Sequence, residues 1–190
     1  MKSRYLQAAA AILMTAATVA YAAPFAYVAN EESGTVSVID TATDQVVREI
    51  PAGKKPRGMA LSKNGKNLYV SDQPKNALDI IDVEKGEIVG TVALGESPEG
   101  VGISPDGMWV VAAVEVSNSI AFINTRTNQR EFLVKVNGEN PEHAVFSPDG
   151  KWVYSSAEEA SQIDVIDVAQ RKQVAEIPVG KRPRGIAFVP

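Results

Sequence analysis

Four charged residues and one histidine stand where chemistry could be done. The chain carries Gly53-Lys54-Lys55-Pro56-Arg57-Gly58, Gly95-Glu96-Ser97-Pro98-Glu99-Gly100, Gly138-Glu139-Asn140-Pro141-Glu142-His143 and Gly180-Lys181-Arg182-Pro183-Arg184-Gly185. The residue after each proline is charged: Arg57, Glu99, Glu142 and Arg184. Guanidinium groups converge well on carboxylates and phosphates. Lys55, Arg57, Arg182 and Arg184 could therefore hold a small anionic ligand or an acidic partner protein, opposite an acidic half containing Glu99 and Glu142. The same charges could instead be solvated loop residues paired as Arg57–Glu99 and Glu142–Arg184, worth at most about 1 kcal/mol per exposed pair. His143 is the single histidine and replaces the Gly58, Gly100 and Gly185 of the other segments. An imidazole there could ligate a metal or act as a general base, with Glu99 and Glu142 as companions, or it could be purely structural. One such ligand makes a poor metal site, so neither a metal site nor a catalytic residue is assigned.

Absences narrow the chemistry. The 190 residues include no cysteine, which removes disulfides, a thiolate nucleophile, cysteine-ligated zinc and covalent c-type haem attachment. There is no Gly-x-Ser-x-Gly elbow, no His-Glu-x-x-His, no phosphate loop and no dinucleotide-binding glycine fingerprint. The formal net charge is −4, a balance that disfavours general nucleic-acid binding, whose affinity comes largely from neutralising phosphates.

The elements that carry the charged segments repeat. Their prolines, Pro56, Pro98, Pro141 and Pro183, recur at intervals of 42, 43 and 42 residues. A second marker keeps the same step: Asp40, Asp82, Asn124 and Asp167 each close an apolar run such as Val36-Ser37-Val38-Ile39-Asp40. Within one period a short run after the Gly-x-x-Pro loop leads to a tight turn, as in Ser104-Pro105-Asp106-Gly107, with Asp or Asn and Gly where a hairpin needs positive φ. Three further runs follow, separated by polar turns, and no long window has helical spacing. Trp109 and Trp152 match in phase and are expected to be packing residues. Four hairpin-linked strands per roughly 42 residues is a propeller blade. The expected fold is an all-β propeller domain over residues 23–190 with four repeats.

With the strands placed, Tyr27-Val28-Ala29-Asn30 and Tyr69-Val70-Ser71-Asp72 fall at the second strand, with decayed copies at Val111-Ala112-Ala113-Val114 and Tyr154-Ser155-Ser156-Ala157. Together with the Ser-Pro-Asp-Gly turn and the Val-Ile-Asp strand ending, these resemble the YVTN family of exported bacterial β-propellers. Runs such as Gly34-Thr35-Val36-Ser37-Val38-Ile39-Asp40 are similar to its subgroup associated with pyrroloquinoline-quinone-dependent alcohol oxidation. The resemblance covers the mature chain and implies a fold. These motifs are structural and specify no reaction. The tryptophan-bearing repeat of quinoprotein propellers is missing, so no cofactor is expected. Members usually have about seven blades, and four repeats are present here. Either the first strand and the last apolar run share one blade, closing a four-bladed ring, or the sequence is an incomplete longer propeller; the second reading is preferred.

Residues 1–22 read as a secretory leader: Lys2 and Arg4, an Ala-rich apolar run, and an Ala20-Tyr21-Ala22 cleavage site. The apolar run of about 13 residues is short of the ~20 needed to span a bilayer. The expectation is a periplasmic, non-enzymatic binding or scaffolding module, accessory to quinone-dependent alcohol oxidation. A propeller enzyme of lactonase or lyase type, using the His143 and carboxylate cluster, is the alternative. Single-stranded nucleic-acid binding through a basic rim, which resembling family members suggest, is the weaker one.

Overall fold

The computed structural model describes residues 25–189, so the expected leader over residues 1–22 lies outside the described residues. Four antiparallel sheets follow one another. The first has three strands, β1 (Phe25–Asn30), β2 (Thr35–Asp40) and β3 (Gln45–Pro51). The second contains β4 (Pro56–Leu61), β5 (Asn67–Asp72), β6 (Ala77–Asp82) and β7 (Glu87–Ala93). The third contains β8 (Pro98–Ile103), β9 (Trp109–Val114), β10 (Ser119–Asn124) and β11 (Gln129–Lys135). The fourth contains β12 (Pro141–Phe146), β13 (Trp152–Ala157), β14 (Gln162–Asp167) and β15 (Lys172–Pro178). Each sheet is a meander paired in sequence order, the expected propeller blade.

The sequence markers turn out to be turn chemistry. Ser104 Oγ donates to Asp106 Oδ1 and accepts from Trp109 N, while Asp106 Oδ1 accepts from Met108 N. Gly107, at φ 76°, closes the turn in a conformation that suits glycine. The Asp or Asn after each third strand accepts backbone N–H groups of the next turn: Ala42 on Asp40, Lys85 on Asp82, Arg126 on Asn124 and Gln170 on Asp167. That is the Asx-turn bond for which these side chains are suited.

The sheets stack face to face with apolar side chains between them. Val36, Ile50, Leu68 and Ile81 fill the first gap, Tyr69, Leu78, Val110 and Ile123 the second, and Val111, Phe122, Phe146 and Ile166 the third. β9 shows why an inner run is continuously apolar: Val110, Ala112 and Val114 face one neighbour, Val111 and Ala113 the other. Trp109 packs edge-on against Phe122 and Phe132, as its phase predicts. Trp152 is half-buried beside a cleft with Val168. In all four sheets the outermost strand carries a bulge at the matching place, opposite Val38/Ile39, Ile80/Ile81, Phe122/Ile123 and Val165/Ile166. Such bulges, with charges such as Arg48 and Glu49, discourage another chain from adding to the edge.

The blade shared by the two ends, the less favoured of the two expected arrangements, is not formed. Among the described residues β1 pairs with β2 alone, and residues 183–189 belong to no sheet. They lie instead against the fourth sheet: Ser156 Oγ donates to Arg184 O, and Phe188 meets Tyr154 edge-on at 5.2 Å. Ser71, two repeats earlier, makes the same bond to Glu99 O on β8. This matching bond places residues 183–189 where the innermost strand of a fifth sheet would lie.

Candidate functional site

The innermost strands β4, β8 and β12 lie side by side, with β8 in the middle. Each has a register irregularity just after its proline, between Pro56 and Met59, Pro98 and Val101, and Pro141 and His143. Arg57, Glu99 and Glu142 sit in these interruptions. Released from the ladder, their side chains turn into the channel mouth. Glycine is needed beside them because the strands approach closely. A Cβ on Gly58 would lie 2.6 Å from Gly100 Cα, and one on Gly100 2.7 Å from Glu142 O and 2.6 Å from the His143 ring.

The result is a cavity of about 260 Å³ lined by Arg57, Glu99, Glu142, His143 and Arg184 with the intervening glycines. Its ion pairs cross blade boundaries. Arg57 Nη1 lies 2.9 Å from Glu99 Oε1, which also accepts from Gln73 Nε2 at 2.8 Å. Arg184 donates to Glu142 Oε2 at 3.0 Å and to Glu158 Oε1 at 2.9 Å, and Arg182 also contacts Glu158.

Burial pushes the Glu99 carboxyl up, and Arg57 partly offsets it. Glu142 is pushed up to about 8, first by burial, then by its hydrogen bond with Glu158 and by the Glu99 charge, with Arg184 opposing. Glu158 is held low, chiefly by the same hydrogen bond, with Arg184 and Arg182 assisting. The proton therefore resides on Glu142, and Glu158 accepts it. Two close carboxyls sharing one proton is the usual response of like charges that cannot both ionise.

His143 Nδ1 accepts the backbone N–H of Ile186 at 3.2 Å. With Nδ1 occupied as an acceptor, the neutral ring carries its proton on Nε2, and burial holds its pKa below the usual value. The imidazole thus joins the fourth sheet to the segment after β15. Among the described residues no group of three or more His, Asp or Glu is placed to hold a metal ion.

Five of the seven sequence-predicted site residues meet at this cavity. Lys55 and Arg182 do not line it: Lys55 faces Glu31 at 3.8 Å, and Arg182 contacts Glu158 and Glu159. The predicted division into basic and acidic halves gives way to arginines flanking an acidic centre and already engaged by it. Sequence reasoning missed Gln73, Glu115 and Glu158. They stand one residue beyond the second strands, in phase with Glu31, and that phase was the available signal. Glu115 accepts from Ser97 Oγ at 2.5 Å and from Asn140 Nδ2 at 3.3 Å, bracing the loops before β8 and β12.

The family model described as a YNCE-like beta-propeller matches residues 5–143. Among solved structures the chain is similar to Kuenenia stuttgartiensis hydrazine synthase, with a TM-score of 0.77 and 22% identity over 88% of this chain and 52% of that one. The chain thus spans about half the length of that neighbour, and at this identity the likeness speaks to the fold alone. No curated protein matches.

Proposed function

The chain belongs to the YNCE-like β-propeller family, and from that premise we propose that it is an exported, periplasmic binding module whose ligand docks at the channel mouth. One observation carries this reading. Three adjacent inner strands and the segment after β15 direct Arg57, Glu99, Glu142, His143 and Arg184 to one cavity, whereas the other repeat markers are spent on turns and packing. Residues so placed on a rigid scaffold are where a repeat protein's function resides. The Lys2–Ala22 leader pattern supports export. The Tyr27-Val28-Ala29-Asn30 type of signature and the Gly34–Asp40 run support a YVTN-type role accessory to quinone-dependent alcohol oxidation.

The enzyme reading asks His143 to be a base, but its Nδ1 is already an acceptor and its Nε2 carries the proton. Single-strand binding asks for a free basic stripe, whereas Arg57 and Arg184 are bound to carboxylates.

Mass spectrometry of small molecules released from protein purified out of its own periplasm tests the proposal. A compound should accompany the wild type in stoichiometric amount and fall at least tenfold with Glu99→Gln. Retention of the same compound by variants at Glu99, Glu142 and Arg184 would place binding elsewhere.

A further inference from the structure

We propose that two copies of this chain close into one ring, residues 183–189 of each completing the first sheet of the other. The first sheet has three strands where the others have four, and the strand it lacks is the innermost, beside β1. Residues 183–189 lie against the fourth sheet at the place of an innermost strand, and among the described residues they join no sheet.

The outer faces of the first and fourth sheets are the sheet-to-sheet faces of the interior, left bare. On the first sheet Val28 is 43% exposed, whereas Val70 and Ala112, at its place in the next two sheets, are wholly buried. On the fourth sheet Ile177 is 44% and Val179 40% exposed. Their counterparts Ile50 and Ala52, Val92 and Leu94, and Val134 and Val136 are all buried. Contiguous bare apolar surface of this kind marks an interaction site, and elsewhere in the molecule the next repeat covers it. A second copy presents those repeats in the same order.

Register and charge select that occupant. β4 meets β5 with Pro56 opposite Asp72, Met59 opposite Val70 and Ala60 opposite Tyr69. The same register sets Pro183, Ile186 and Ala187 of one copy against Asn30, Val28 and Tyr27 of the other. A Cβ on Gly53, Gly95 or Gly138 would strike Asp72, Val114 or Ala157 at the end of the second strand of its own sheet, whereas one on Gly180 would meet nothing within 4 Å. Asn30 of a second copy is the missing neighbour. Ser97 shows how the loop before an inner strand is held: it bonds Gln73 from the preceding sheet and Glu115 from its own. Arg182 stands at the same place and contacts Glu158 from the preceding sheet. Glu31 of a second copy takes the other side, with Lys181 and Glu32 adjacent. Arg184 comes beside the second copy's Arg57, each keeping its own carboxylate, Glu142 and Glu99. Six complete sheets and two shared ones make the ring, within the about four to eight blades that propellers commonly have. Joining both ends also removes the open edge of β1.

The test is the mass of the purified protein by light scattering at about 50 μM, together with a disulfide trap. The chain has no cysteine, so Val28→Cys with Ile186→Cys supplies the only two thiols. Opposite residues of an antiparallel pair lie about 4.5–5.5 Å apart at Cα, within reach of a disulfide. The wild type should have twice the mass of one chain, and the double variant should oxidise to a covalently closed dimer. Phe188→Asp, on the shared strand, should raise the dissociation constant at least about tenfold while far-UV circular dichroism stays that of a β protein. A monomer, whether β1 is bare or covered by residues before Phe25, would overturn the proposal. So would a disulfide within one chain, a ladder of longer polymers, or a dimer that neither forms the bridge nor responds to Phe188→Asp.

Discussion

Glu142 keeps its proton at pH values where an ordinary glutamate has lost it, and stability should report this. Its folded pKa, about 8, lies above the usual value of 4.5. The preference for the neutral form therefore contributes fully below about pH 4.5 and is lost as pH rises through 8. Glu142→Gln should equal the wild type near pH 4 and exceed it at pH 8.5 to 9. With one pKa unit worth about 1.4 kcal/mol and solvent at the mouth screening the charges, the gain is roughly 1–2 kcal/mol, measurable by urea denaturation. His143 has the opposite sense. Burial lowers its folded pKa, so its contribution is complete above about pH 6.5 and is lost as pH falls below it. Protonation would also remove the acceptor used by Ile186. Amide exchange at Ile186 should accelerate between pH 6.5 and 5 beyond the intrinsic rate, and His143→Ala should exchange fast at every pH.

At the scale of the element, the inner strands depend on glycine. Gly100→Ala would set a methyl 2.6–2.8 Å from the His143 ring and from Glu142 O, so β8 and β12 would have to separate. Overpacking of this kind typically costs about 1–3 kcal/mol, and the denaturation midpoint should fall accordingly while far-UV circular dichroism stays that of a β protein. The strands themselves were legible in the sequence because their turns are chemical: Ser104, Asp106 and Gly107 announce a hairpin, and Asp82 or Asn124 announces the next. What the sequence could not show was where the interruptions after Pro56, Pro98 and Pro141 would aim the following side chains. Repeat spacing put Arg57 and Glu99 at matching positions and suggested like-charged halves. The other reading of the same charges, in which Arg57 pairs with Glu99 and Glu142 with Arg184, is the arrangement that forms. Glu158 was overlooked despite its phase with Glu31 and Glu115, because a glutamate after a strand resembles any solvated turn residue until a neighbouring carboxyl is placed beside it.

For the molecule as a whole, the four-repeat β-propeller architecture was readable from Pro56 to Pro183, because two markers shared one period. Ring closure was not, since strand phase is the same in a closed ring and in an arc. Locally, Ser156 bonds Arg184 O beside the fourth sheet, while among the described residues β1 pairs with β2 alone and residues 183–189 join no sheet. Export is a proposal with a direct check: N-terminal sequencing of the periplasmic protein should read Ala23-Pro24-Phe25, and a start at Met1 would contradict it. The central claim is the location of the site. It is tested most directly by two-dimensional amide NMR during titration with a panel of ammonium, guanidinium, carboxylate and phosphate compounds. The account predicts that whichever compound binds will shift the amides of Gly58, Gly100, His143 and Gly185 first. Shifts confined to the outer strands β3, β7, β11 and β15 would contradict it.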